Sequence, residues 1–210
     1  MSNVEIEKIC DKYNITNYTI NDDGSIDVNN SVYLDYYELT ELPLKFNKVF
    51  GIFSCSRTGL TSLEGGPKYV GDNFDCSNNK LTSLKGSPKE IGGNFYCNNN
   101  KLTSLEGGPE VIKNGIYSAQ NNDLYHTYGL KTKGYHYIYL NNNPISSVFI
   151  NKNGFNEFDS RLATYFNSAK IIEKKNNEYS VNIKRLQYIQ TMFENKIDTI
   201  KIAKYYDINY

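Results

Sequence analysis

Three cysteines, Cys55, Cys76 and Cys97, stand 21 residues apart, and the two histidines of the chain, His126 and His136, lie downstream of them. A thiolate beside an imidazole is a nucleophile pair, and Cys with His is also a metal-ligand set, so these five residues pose the first chemical question. Their spacing argues against both uses. The cysteines form no CxxC pair and the histidines have no third ligand at useful spacing. Each cysteine instead takes the third place of a recurring phrase: FSCSRTGL from Phe53, FDCSNNKL from Phe74 and FYCNNNKL from Phe95, with YSAQNNDL from Tyr117 as a fourth copy whose Ala119 arrives one residue late. A cysteine at the same interior place of every copy is a small packing residue, and a thiol among apolar neighbours is inert. His136 shares strand parity with Ile138 and Leu140 and is expected to face the core, while His126 lies in a loop. GLKTKG, residues 129–134, has phosphate-loop glycine spacing, but Tyr135 and His136 follow where such a loop needs Lys and Ser or Thr. The chain is read as a non-enzyme, with no cofactor and no metal.

A period of 21 residues defines a solenoid, in which each turn buries its neighbour's apolar face. FYCNNNKLTSL, from Phe95 to Leu105, fits the pattern LxLxxNxLxxL of the leucine-rich repeat. Side chains alternate across a strand, so Phe95 and Cys97 point inward and Tyr96 outward. Asn100 turns inward at the strand's end, where its amide can satisfy backbone groups of adjacent turns, as can Asn79, Asn122 and Asn143. Tyr37 and Thr58 stand where this Asn recurs. Gly-Gly-Pro at 107–109 makes the corner. Weaker copies at Val32 and Ile138 bring the count to six turns, about 25 Å from first strand to last.

The ends are expected to cap the array, because an open solenoid end exposes apolar core and unpaired strand edge. Ser2 to Glu5 has the form of a capping box and opens an amphipathic helix carrying Ile6, Ile9, Cys10 and Tyr13. Tyr18–Ile20 and Ser25–Val28 flank the turn signal NDDGS and should pair as a hairpin. From Gly154 the pattern becomes helical, with Phe155, Phe158, Leu162, Tyr165, Phe166 and Ala169 on one face and Ile183, Leu186, Ile189 and Phe193 on another. Ile200 and Ile202 suggest a last short strand. The divisions are residues 1–31 for the N-terminal helix and hairpin, 32–150 for the β-rich solenoid, and 151–210 for a mainly helical C-terminal cap.

The 210 residues suffice for one substantial core, and Lys plus Arg equal Asp plus Glu at 23 each. A neutral chain lacks a counterion-release drive toward nucleic acid. No segment reaches the roughly 20 apolar residues of a membrane span, and the N-terminus is unlike a signal peptide, so a cytoplasmic location is expected.

LTSLEGGPKYVGDNFDCSNNKLTSLKGSPKEIGGNFYCNNNKLTSLEGGPEVI resembles the 21-residue leucine-rich-repeat-like arrays of many tailed-bacteriophage proteins, and the leader from Tyr18 is similar to their N-terminal module. The resemblance implies a phage-encoded solenoid that works in the host cytoplasm by binding a host protein such as a defence factor. It carries no catalytic residue. The chain departs from the pattern between Leu124 and Lys133, where YHTYGLKTKGYHYIY is dense in Tyr.

Outward positions supply the candidate site. Tyr135, Tyr137 and Tyr139 are expected in a row on one strand, near Tyr96, with Asp75 and Arg57 on earlier turns. Exposed tyrosines on a rigid scaffold suit a protein interface. The same strip could instead lie beneath the C-terminal cap, or hold a nucleotide or glycan.

Overall fold

The computed structural model describes residues 1–113, 115–148, 157–159, 169–176, 178–193 and 202–209. Helix α1 (Asn3–Lys12) starts at the expected capping box: the Ser2 Oγ accepts from the Glu5 N–H at 3.4 Å, and the Glu5 carboxylate accepts from the Ser2 N–H at 2.7 Å. Its apolar side, with Ile6 and Cys10 fully buried, closes the first end of the core. Strands β1 (Tyr18–Ile20) and β2 (Ile26–Val28) then pair antiparallel as the expected hairpin.

From β2 the chain winds into a β-solenoid with two parallel sheets. The first continues through β4 (Phe46–Val49), β6 (Tyr69–Val70), β8 (Glu90–Ile91) and β10 (Val111–Ile112). The second runs β3 (Val32–Tyr33), β5 (Phe53–Ser54), β7 (Phe74–Asp75), β9 (Phe95–Tyr96), β11 (Tyr117–Ser118) and β12 (Tyr137–Tyr139). Against six expected copies, six parallel strands line the second sheet and five the first, so about five turns close fully among the described residues. Register follows the repeat: Phe53 pairs with Phe74, Phe74 with Phe95, Phe95 with Tyr117 and Tyr117 with Ile138.

Identical side chains stack along the axis. Phe53, Phe74 and Phe95 form a ring stack with centroids 5.4 and 5.8 Å apart, and Cys55, Cys76 and Cys97 are fully buried free thiols, as expected. Each thiol points at a carbonyl of the next turn, Cys76 Sγ lying 3.3 Å from the Tyr96 oxygen. Between the sheets the turns approach so closely that only glycine fits: a Cβ on Gly92 would overlap the Gly71 carbonyl.

The Asn ladder is complete in the last four turns. Asn100 Oδ1 accepts from the Leu81 N–H at 3.0 Å, while its Nδ2 donates to the carbonyls of Cys76, Cys97 and Asn98 at 3.0, 3.2 and 3.4 Å. Asn79, Asn122 and Asn143 repeat this arrangement, and the Thr58 hydroxyl lies 2.9 Å from Asn79 Oδ1 in the turn before. The residue preceding each ladder position has left-handed backbone: Tyr36, Arg57, Asn78, Asn99, Asn121 and Asn142, with φ from 53° to 63°. That kink swings the next side chain inward. Asn tolerates it better than most residues, which explains the Asn-Asn pairs of the later turns.

The C-terminal region differs in part from the helical expectation. Glu157–Asp159 is a strand, β13, antiparallel to β12, so the helical assignment of Phe158 is corrected. A strand there pairs the last edge of the second sheet, which a helix could not do. Phe155, Leu162, Tyr165, Phe166 and Ile200 lie outside the described residues. Helix α2 (Ile183–Phe193) forms as expected, but it is inserted between the second and third strands of a three-stranded sheet of β14 (Ile172–Lys175), β15 (Glu178–Asn182) and β16 (Asp207–Asn209). The strand assigned to Ile202 is likewise corrected: it sits in helical backbone and is fully buried, and the last strand lies further on. Among the described residues no helix is long and apolar enough to cross a membrane.

Candidate binding face

The two solenoid faces differ in chemistry. The first sheet carries ion pairs on its outside, Lys89 with Glu110 at 2.7 Å and Lys113 with Glu90. The second sheet presents mainly Tyr, Ser and Asn. Its outward columns run Tyr33, Ser54, Asp75, Tyr96, Ser118, Tyr139 in the middle and Ser31, Ile52, Asn73, Asn94, Ile116, Tyr137 beside it.

The side column does structural duty that its sequence did not reveal. Ser31 Oγ accepts from the Ile52 N–H at 3.0 Å, Asn73 Oδ1 from the Asn94 N–H at 2.7 Å, and Asn94 Oδ1 from the Ile116 N–H at 2.9 Å. These bonds tie each turn to the next on the outside as the Asn ladder does within. Ser54 and Ser118 are buried despite facing out, because both are short and hydrogen-bonded to longer neighbours: Ser54 to Asp35 at 2.5 Å and Ser118 to Gln120 at 2.7 Å.

Of the expected site residues, Arg57 and Tyr137 are exposed, while Tyr96, Tyr139 and Asp75 are half-buried on the same face. The Asp75 carboxylate accepts from the Ser77 N–H at 2.8 Å. Tyr135 departs from the expected row: it is 3% exposed and packs inside, its ring 6.2 Å from that of Tyr117. Bridging of Val111 to Lys133 aligns Gly134 with Ile112, so the last turn lacks the inward side chain supplied by Val70, Ile91 and Ile112 in earlier turns. The Tyr135 ring is the buried aromatic of this turn. His136 consequently points out to solvent, contrary to the core position expected from parity.

Two exposed tyrosines stand outside the expected site residues, Tyr33 at an outward place that strand alternation gives it and Tyr36 with no such signal. Tyr33 is 55% and Tyr36 is 69% exposed, and they sit at the first end of the face. Tyr36 and Arg57 are adjacent rungs of the left-handed column. The Arg57 guanidinium lies over the Tyr36 ring, 5.3 Å from its centroid, and donates to its hydroxyl. Aligning the rungs by position would have exposed both residues as exceptions to the Asn rule.

The variant loop has a packing explanation. Tyr125 stacks on Tyr179 of β15 at 4.8 Å, the Tyr206 hydroxyl donates to the Tyr125 carbonyl at 2.5 Å, and the Tyr128 hydroxyl donates to that of Ile172. The repeat phrase is lost where the C-terminal sheet docks. His126 is half-buried between Tyr128 and Tyr179, with its Nδ1 accepting from the Tyr128 N–H at 3.2 Å. Burial, followed by the Lys174 charge, lowers its pKa. Burial raises the Cys55, Cys76 and Cys97 thiols well above their ordinary range, which suppresses the nucleophilic thiolate. Among the described residues no group of three His, Cys, Asp or Glu could hold a metal ion. Gly129 of GLKTKG is the last of the corner glycines, following Gly65, Gly86 and Gly107, all with positive φ.

Comparison with protein-family models, with curated proteins and with solved structures returns no match. The fold defines a β-solenoid, and the character of its outer face supplies the basis for a functional reading.

Proposed function

We propose that the chain is a non-enzymatic protein-binding module whose partner docks on the outer face of the second sheet. The observation that carries this reading is the pair Tyr36 and Arg57. Both hold a left-handed backbone at positions that four later turns fill with Asn, which suits that geometry better. Strain kept at an exposed site points to a use other than folding. The rest of the face supports the reading: Tyr, Ser and Asn predominate in binding loops because Tyr buries large area at small entropic cost while Ser and Asn adapt their hydrogen bonds. A rigid sheet adds pre-organisation. The resemblance to phage arrays supports a phage-encoded protein whose partner is a host protein in the cytoplasm, inhibited by steric cover.

Photo-crosslinking tests the reading. A benzophenone amino acid at Tyr33 or Tyr96, expressed in infected host cells, should yield one discrete adduct that disappears in the Tyr36→Asn, Arg57→Asn double variant. The same probe at Lys89, on the first sheet, should yield none. An adduct from Lys89 alone, or adducts indifferent to the double variant, would overturn it.

A further inference from the structure

We propose that the groove between the variant loop and the C-terminal sheet binds a small organic cation of the alkylated-ammonium class. The groove encloses about 460 Å³, within the range of small-molecule sites. Four tyrosines line it, Tyr125, Tyr179, Tyr205 and Tyr206, together with two carboxylates, Glu178 and Asp207, its only charged lining among the described residues. Tyr125 is the hub: Tyr179 stacks on it, and Tyr205 and Tyr206 stand against it at 77° and 69°. These rings pack on one another and Tyr206 is buried, so the aromatic surface offered to a ligand is that of Tyr205 with the open parts of Tyr125 and Tyr179, and its negative π-density attracts a diffuse, weakly hydrated cation. The cluster already draws one such group, since the Lys174 ammonium lies 5.3 Å from the centroid of Tyr179.

Cap packing accounts for Tyr179 and Tyr206 but not for the whole groove. Tyr205 is 45% exposed, and the side chains of Glu178 and Asp207 are exposed beside it. Two carboxylates disfavour phosphates and other anions. They are too few ligands to hold a metal ion without the phenol faces, which favour an organic cation instead. A second hollow of about 360 Å³ shares Glu178, Tyr179 and Asp207, so the groove continues and leaves room for the substituent on the ammonium. This site is separate from the sheet face and stands or falls independently of the protein-binding reading.

Choline, titrated against the full chain at constant ionic strength and followed by its methyl NMR signal, tests the proposal. The expected result is saturable binding in the millimolar range, weakened at least fivefold by Tyr205→Ala and by Glu178→Gln. Lys174→Ala, which removes a nearby like charge, should tighten it. Circular dichroism establishes that each variant is folded, and Glu178→Gln serves if Tyr205→Ala is not. Choline binding no stronger than that of sodium, or affinity unchanged in the folded Tyr205 and Glu178 variants, would overturn it.

Discussion

Arg57 and Tyr36 stack and hydrogen-bond to each other across one solenoid turn, from backbone held at φ 54° and 63°. The surface pair contributes little, since an exposed contact of this kind is worth about 0.5–1 kcal/mol. Left-handed backbone costs an ordinary residue about 1–2 kcal/mol, a cost that Asn lowers. Arg57→Asn should therefore raise stability by about 0.5–1 kcal/mol, read as a higher urea midpoint at unchanged slope. A lower midpoint would show that the pair stabilises the fold and that strain is not stored there.

Asn99 and Asn100 separate conformation from hydrogen bonding at neighbouring positions. Asn100→Ala strands the Leu81 N–H and the carbonyls of Cys76 and Cys97 in the core and should cost about 2–3 kcal/mol or more. Asn99→Ala should cost about 1 kcal/mol, because only its left-handed φ of 55° is compromised. Asn99→Gly should be close to neutral. Equal costs for all three in denaturant titrations would contradict this division of labour.

Tyr117 continues the stack of Phe53, Phe74 and Phe95, and its buried hydroxyl finds no hydrogen-bond partner among the described residues. Burial pushes its pKa well up, so the group stays neutral and unsatisfied. Tyr117→Phe should be neutral or stabilising, by up to about 1 kcal/mol in thermal or urea unfolding. A clear loss of stability would mean that the hydroxyl is engaged after all.

Repetition made the core legible: Phe, Cys, Asn and Leu at fixed places could be assigned an inward direction because at least three of the four copies agreed at each place. The hairpin and α1 were legible from local signals, the NDDGS turn and the capping box. What stayed hidden depended on a single copy. Nothing in the strand parity of Tyr135 reveals that its ring turns into the core against Tyr117, and the period of Phe155 to Ala169 does not register that β12 needs an antiparallel neighbour at Glu157–Asp159. The antiparallel pairing of β14 and β15 could have been read from the Asn-Asn signal of KKNNEYSV between β-rich flanks. At the candidate face, Tyr36 and Arg57 stood out only once the left-handed column was visible.

His126 gives the cap a pH dependence of definite sign. Its pKa lies below the ordinary 6.5, from burial first and Lys174 second, so the folded chain keeps it neutral. The unfolded chain takes up the proton first as pH falls. The stability contributed is present above the unfolded pKa and declines as pH drops through it, where Nδ1 can no longer accept from Tyr128. Urea midpoints should therefore fall between about pH 7 and about pH 5, and fall less in His126→Gln. An identical decline in both proteins would place the pH sensitivity elsewhere.

The exact pairing of Phe74 with Phe95 has a consequence at the level of the gene. A segment of 21 codons that is duplicated or deleted between these turns preserves the strand pairing and the inward ring stack, since each turn again meets a Phe in register. Such events arise by slippage between like sequences and, in a solenoid, change only length. Each one widens or narrows the outer face by one strand, about 4.8 Å. Recombination can thus resize the surface in whole units without redesigning the core, while the two ends remain fitted to their caps.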